Sequence, residues 1–451
     1  MTGASPHPDP ATITHPPASI TIAMRTITNP IGLCSPGARS ADGLCTEFLR
    51  MPDASENPQP ATRTLRRTIR RVLAWACRLA LCGVILAFAL GRAFSDAHTW
   101  SQWLFWMPHE AWLFPIWLLA IAIVLLEPPD PRRAWARLGP LAAAVLALAY
   151  VSFAHWRLHN ALLVRPGETA IRVYHWNATE ATDESLQRFL RDADPFALAN
   201  DSESVVVLAN PPLRLDWPEI VRMLADEEIS AADVTAHVRR GGRFVLISGM
   251  PMIDAGWTSL QLDAKTPEPD LTDNGAAMFA SIEFAGAPVT VWAIDWPSEP
   301  GRSRRTFVRA TLERIETSTR LIYEPTAAGP LQRREEQGFP RPDVVVGDFN
   351  TARGSAAIEA LLPGMASAHA QAGIGPDYGW PRFIRDGRID RAFVPFLGLD
   401  QAFVDSENWR VTAYRMLDMD EGTHRAQEVF VTRAGRPGRS APSPADRAGA
   451  N

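Results

Sequence analysis

The chain is almost free of lysine and sparing with cysteine. Lys265 is the single lysine among 45 Lys and Arg residues, an imbalance that points to a GC-rich coding bias and carries no function. The four cysteines, Cys34, Cys45, Cys77 and Cys82, all precede the body of the chain. A disulfide-built scaffold and an all-cysteine zinc site in the body are therefore excluded. Positive charge is not in excess either. The 45 basic residues face 50 acidic ones, a formal net charge of −5 over 451 residues. That balance excludes a strongly basic nucleic-acid-coating protein, and no basic stripe interleaved with aromatics indicates nucleic acid as a partner. A chain of this length has room for two or three units with a sizeable core.

What the chain does have is apolar residues, 46% of the total, and they are unevenly placed. Residues 1–62 are rich in Pro, Ser, Thr and Ala without any period, and 434–451 are similar, so both are expected to be disordered tails. Residues 63–158 hold three apolar runs, at 72–91, 111–126 and 138–156. Each approaches the roughly 20 residues that cross a hydrocarbon core as a helix, which predicts a three-span membrane anchor. Arg78 inside the first run is close enough to its start to snorkel. Arg63, Arg66, Arg67, Arg70 and Arg71 precede the first run, and Arg132, Arg133 and Arg137 lie between the second and third. The segment between the first two carries only Arg92, with Trp100, Trp103, Phe105 and Trp106 suited to a membrane interface. By the excess of positive charge on cytoplasmic loops, the N-terminus is expected in the cytoplasm and everything after the third span outside it, in the periplasm or cell exterior.

Residues 165–433 read as one α/β domain. β-rich runs at 170–176, 204–210, 242–249, 288–295, 343–349, 389–395 and 427–432 alternate with amphipathic stretches at 184–193, 216–228 and 302–319. The pattern suits a two-sheet sandwich flanked by helices or a doubly wound sheet. Arg302, Arg304, Arg305 and Arg309 read as the solvated face of the last of these helices, with a phosphate-contacting edge as the alternative.

Three segments carry candidate chemistry. In Val344-Val345-Val346-Gly347-Asp348-Phe349-Asn350, an apolar strand ends in an acid and an amide placed to one side by alternation. Such a pair suits a hard cation or a phosphoryl group, and an Asx turn closing the strand is the plain alternative. Arg388-Ile389-Asp390-Arg391-Ala392-Phe393-Val394 sets an acid at the start of a strand, and Gly422-Thr423-His424-Arg425 sets a histidine before the last strand. A histidine needs an acidic partner to fix its tautomer, and Asp390 is a candidate.

In this order, Asn177 (YHWNAT), Asn210 (VVVLANPP), Asp295 (VWAIDWP), Asp348 and Asn350 (VVVGDFNT), Asp390 (RIDRAFV) and His424 (GTHRAQEVFV) resemble the signature of the endonuclease/exonuclease/phosphatase superfamily. The three preceding spans resemble its membrane-anchored bacterial members. The resemblance implies a four-layered, DNase-like α/β-sandwich preceded by three transmembrane helices, held in a bacterial inner membrane. It also implies a divalent metal, Mg²⁺ in most members, and attack of water on a phosphodiester or phosphomonoester. Asp348 would then position the attacking water, Asn177 and Asn350 would hold phosphoryl oxygens, and His424, oriented by Asp390, would donate hydrogen bonds to them. Asn210, Asp295 and Asp348 fall at or beside the metal position. Three departures stand out: Asn210 replaces a metal-binding Glu, Thr423 replaces the Asp of the usual S-D-H, and Asp295 stands where the family has a strand-end His. Asp295 returns one carboxylate, and Asp420 and Glu421 are further acids just before His424. Two functions remain in view, an anchored metal-dependent phosphoesterase and a catalytically degraded relative serving as a binding or assembly module.

Overall fold

The computed structural model describes residues 60–127, 134–162, 170–196, 203–212, 215–217, 220, 224, 234–262, 274–326, 329–381, 383–385, 390–392, 395–419 and 421–434. The two predicted tails (but for their inner ends), Arg132, Arg133, Asp420 and most of 216–228 lie outside these residues.

The apolar runs form long helices: α1 (Pro60–Phe94), α3 (His109–Leu126) and α4 (Ala134–Tyr150), with a short α2 (Thr99–Trp106) between the first two. Helical segments Thr64–Phe94, His109–Leu126 and Ala134–His155 are each long and apolar enough to cross a membrane. Leu81, Ile116, Ala120, Ile123 and Ala144 form the contact among them, while Leu79, Phe114, Leu118, Leu125 and Leu146 are exposed, the distribution lipid tails would cover. Arg78 does not end unpaired. Its guanidinium donates to Glu127 Oε1 at 2.6 Å, beyond the end of α3.

After the helices the chain builds a four-layered α/β-sandwich. One six-stranded sheet runs β15 (Trp409–Leu417), β16 (Ala426–Arg433), β1 (Ile171–Asn177), β2 (Glu203–Ala209), β4 (Phe244–Ser248), β3 (Val238–Gly241). The other runs β11 (Met365–Ser367), β14 (Asp400–Asp405), β10 (Val344–Asp348), β7 (Ala287–Asp295), β6 (Ala276–Phe284), β5 (Met252–Ser259). Each sheet has a single parallel pair, β1/β2 in one and β7/β10 in the other, with antiparallel neighbours outside it. The two sheets thus repeat one pattern of pairing.

The inner strands are apolar on both faces because both faces are covered. Ile171 and Val173, Val205 and Val207, Val289 and Val291, Val344 and Val346, and Val429 and Val431 fill the space between the sheets. The intervening Tyr174, Trp176, Val206 and Leu208 turn outward beneath α5 (Asp183–Ala193), onto Leu186, Phe189 and Leu190. Thr182 caps α5, its side chain accepting from Ser185 N, and Asp183 and Glu184 sit favourably in the first turn. On the other sheet Val345 and Trp292 meet Phe307, Val308 and Ile315 of the helix Arg304–Thr317.

Candidate active site

Alternation along a strand decides where the polar residues point. Val344 and Val346 face the opposite sheet, so Asp348, two residues on, faces it too. The same parity directs His175 and Asn177 of β1, Asp295 of β7, Asp400 of β14 and Gln427 of β16 into the space between the sheets. Asp348 lies opposite Asp295 on β7 and opposite Asp400 on β14. The polar cluster is therefore the end of the hydrophobic interior, at the carboxyl ends of both parallel pairs. Gly347 is required by this packing, since a Cβ there would stand 1.9 Å from Ile294 O on β7.

Asp348 is buried and held on both oxygens. Asn177 Nδ2 donates to Oδ2 at 2.9 Å, and the Asn350 backbone N–H donates to Oδ1 at 2.9 Å. Asn177 Oδ1 accepts from Thr179 Oγ1 at 2.7 Å and from Asn210 Nδ2 at 3.1 Å, and Asn210 Nδ2 also reaches Asp295 Oδ2 at 3.2 Å. His424 Nδ1 is 2.7 Å from Asp400 Oδ2, and its Nε2 is 3.8 Å from Asp348 Oδ2. Asp348, Asp400 and His424 form a buried group within 4.8 Å of one another. Asn350 and Asn210 take positive φ values of 46° and 52°, a region asparagine tolerates better than most residues. Asn350 spends its side-chain nitrogen on Trp296 O at 2.6 Å.

Electrostatics follow from burial and crowding of carboxylates. Burial, and then the charge of Asp400, push the Asp348 carboxyl up to about 6. Burial alone would lower the pKa of His424, but the charge and hydrogen bond of Asp400, aided by Asp348 and Asp295, raise it to about 9. His175, buried with its Nδ1 3.0 Å from Gln427 Nε2, is lowered by burial to about 4 and stays neutral at pH 7. Around pH 7 the site thus combines ionised Asp348 with a protonated His424.

Most of the expected residues converge: Asn177, Asn210, Asp295, Asp348 and His424 meet at one site, and Asn350 joins it through its backbone N–H, its side chain being spent on Trp296 O. Asp390 is the correction. It lies on β13 (Asp390–Ala392), which among the described residues pairs with β12 (Phe383–Arg385) in a two-stranded ribbon, and its side chain is outside the described residues. The carboxylate on His424 Nδ1 belongs to Asp400. A signal for it was in the sequence. Leu399-Asp400-Gln401-Ala402-Phe403-Val404 repeats the pattern of Ile389-Asp390-Arg391-Ala392-Phe393-Val394, and only the later copy pairs with the strand that carries Asp348. Glu421 is exposed and accepts from Thr182 Oγ1, away from the cluster. Thr423 hydrogen-bonds to Thr179 O through its backbone N–H at 3.2 Å. Arg304 is not on a solvated face. It is fully buried, donating to Pro297 O at 3.1 Å and Asn350 O at 2.7 Å.

A hard divalent cation suits the donor set present. Asp295 and Asp348 offer carboxylate oxygens and Asn177 its Oδ1, donors of the type such ions prefer, while Asn210 turns its amide nitrogen to Asp295. Three buried carboxylates, Asp295, Asp348 and Asp400, crowd around the imidazolium of His424. Arg243 approaches Asp295 only to 3.9 Å. The raised pKa of Asp348 reflects burial first and the neighbouring charge of Asp400 second.

No protein-family model matches the chain, and no curated protein matches its sequence. Solved structures give distant likenesses. A functionally unknown conserved protein from Enterococcus faecalis is 13% identical with a TM-score of 0.38, covering 58% of this chain and 100% of its own. An endonuclease/exonuclease/phosphatase family protein from Bacteroides thetaiotaomicron is 11% identical with a TM-score of 0.37, covering 59% and 98%. The human nocturnin catalytic domain is 13% identical with a TM-score of 0.37, covering 60% and 96%.

Proposed function

We propose that the protein is a membrane-anchored phosphoester hydrolase of the endonuclease/exonuclease/phosphatase type, acting outside the cytoplasmic membrane of a bacterium on a phosphodiester or phosphomonoester. The observation that carries this reading is the buried Asp348–His424–Asp400 array, with Asn177 fixing Asp348. Asp348, both oxygens oriented, positions the water and accepts its proton as the oxygen attacks phosphorus. His424, protonated and held by Asp400, donates from Nε2 to the phosphoryl oxygens, where negative charge builds as the ester bond breaks. Asp295, Asp348 and Asn177 would hold a divalent cation, Mg²⁺ on this reading, which supplies further positive charge for those oxygens.

One observation favours the alternative of a binding module. Asn210 donates its amide to Asp295, where the resembled family has a second acid. A single experiment separates the two. The full chain, purified in detergent, is assayed with bis-p-nitrophenyl phosphate and with plasmid DNA in Mg²⁺, Mn²⁺ or Ca²⁺. Turnover that needs the metal is expected, together with a metal-induced rise in Tm of about 3 °C or more. If no metal produces turnover or moves Tm, the hydrolase reading fails. Orientation has its own check. Alkaline phosphatase fused to the C-terminus is expected to be active in cells and green fluorescent protein dark, and the reverse pair would invert the topology.

A further inference from the structure

The segment joining the first two apolar helices reaches directly into the loop that follows Asp348. Asp96, between α1 and α2, is fully buried. Its Oδ2 accepts from Thr351 Oγ1 at 3.1 Å and from Ser355 Oγ, and its Oδ1 accepts from the Ala357 backbone N–H at 3.2 Å. Ser95 Oγ accepts from Ala356 N at 3.2 Å. Residues more than 250 positions away therefore supply the first turn of the helix Ala356–Leu361 with acceptors for its free N–H groups. Trp106 of α2 donates from Nε1 to Thr351 Oγ1 at 3.0 Å. An indole nitrogen can only donate, so the Thr351 hydroxyl accepts from Trp106 and spends its one proton on Asp96. The same indole lies under the Arg304 guanidinium, 4.9 Å from its ring centre, and Arg304 holds Asn350 O. Gln102 of α2 donates to Pro300 O at 2.9 Å.

These bonds converge on the residues beside the candidate catalytic ones. Thr351 follows Asn350, whose backbone N–H fixes Asp348 and whose φ is positive. A conformation of that kind persists only where its surroundings over-determine it. We propose that Asp96 and Trp106 are positioning residues for the active site: the segment between the first two spans clamps Thr351, and through it Asn350 and Asp348, so that the site is complete only with the anchor docked. The catalytic role of the clamped residues rests on the hydrolase reading; the clamp itself does not.

Amide hydrogen exchange on the full chain in detergent tests the clamp without reference to activity. In Asp96→Leu, exchange across residues 350–358 is expected to accelerate by about tenfold or more, with β1 and β2 unchanged, because the loop opens locally. Thr351→Val is expected to do the same and Thr351→Ser to match the parent, since only the hydroxyl matters. With bis-p-nitrophenyl phosphate and Mg²⁺, Asp96→Leu should lower kcat by about tenfold or more and leave KM within about threefold, the mark of lost positioning. Should Asp96→Leu not fold, the valine and serine pair at 351 decides the matter. Parent-like exchange in Thr351→Val, or in a folded Asp96→Leu, overturns the proposal. Accelerated exchange in a protein whose parent never turns over substrate leaves the clamp standing and removes the hydrolase reading.

Discussion

Asp348→Asn is expected to lower kcat/KM by about 10³-fold while the protein stays folded. The size follows from what a positioned proton acceptor contributes, roughly 10²–10⁴-fold. The fold should tolerate the change because an asparagine oxygen can still accept the Asn350 N–H that Asp348 Oδ1 now takes, while the bond that Oδ2 accepts from Asn177 Nδ2 is given up. Stability should even improve at neutral pH in metal-free protein. The Asp348 carboxyl is raised from 3.8 to about 6 on folding, so the folded state binds its proton more tightly than the unfolded one. Between about 4 and 6 the unfolded chain has released that proton and the folded one has not. Stability therefore falls as pH rises through this window and stays lowered above it. Asparagine removes that penalty, and Tm measured with a chelator at pH 7 should equal or exceed the parent's. The advantage should shrink as pH falls from 6 toward 4. A variant with near-parent turnover would remove Asp348 from the chemistry.

Asp400→Asn and Asp390→Asn form the second test, and their outcomes should diverge. At pH 8 Asp400→Asn is expected to lose about 10²-fold or more in kcat/KM, whereas Asp390→Asn should stay within about threefold of the parent. Asp400 is the chief group keeping His424 protonated against burial. Without it burial prevails, the imidazole turns neutral, and the alkaline limb of the pH profile moves down from about 9. Part of the lost activity should then return at lower pH, a response that mere unfolding would not produce. The parent's stability carries the matching sign. With His424 raised from 6.5 to about 9, its contribution is complete below 6.5 and is lost as pH rises through 9. Equal losses in both variants would mean that the pairing of His424 with Asp400 is not what orients it.

The two aspartates also mark how far local pattern reaches. Parity along Val344-Val345-Val346-Gly347-Asp348 is enough to send Asp348 to the side of Val344 and Val346, and the structure agrees. Nothing local separates Leu399-Asp400-Gln401-Ala402-Phe403-Val404 from the similar pattern ten residues earlier. Strand β14 is also only six residues long and bounded by acids, so it offers little period to read. β6, Ala276–Phe284, carries three alanines and few β-branched residues, and gives no strand signal of its own. It is a strand because β5 and β7 pair with it on both sides. Arg304 shows the reverse error. Its neighbours Arg302 and Arg305 look like a wet helix face, but Arg304 lies at the start of the helix, where Trp106 and the Asn350 carbonyl enclose it.

By itself the sequence determined the three apolar helices, the alternation that turns Asp348 to the side of Val344 and Val346, and the histidine before the last strand. Each of these depends on residues a few positions apart, where helix and strand periods act. Tertiary structure alone decided that Asp400 serves His424, that Arg304 is buried, and that Asp96 holds Thr351 across 255 positions. Those pairings depend on which strands become neighbours and where the anchor docks, and the hydrogen bonds that fix them form only once distant segments have excluded water from the same place.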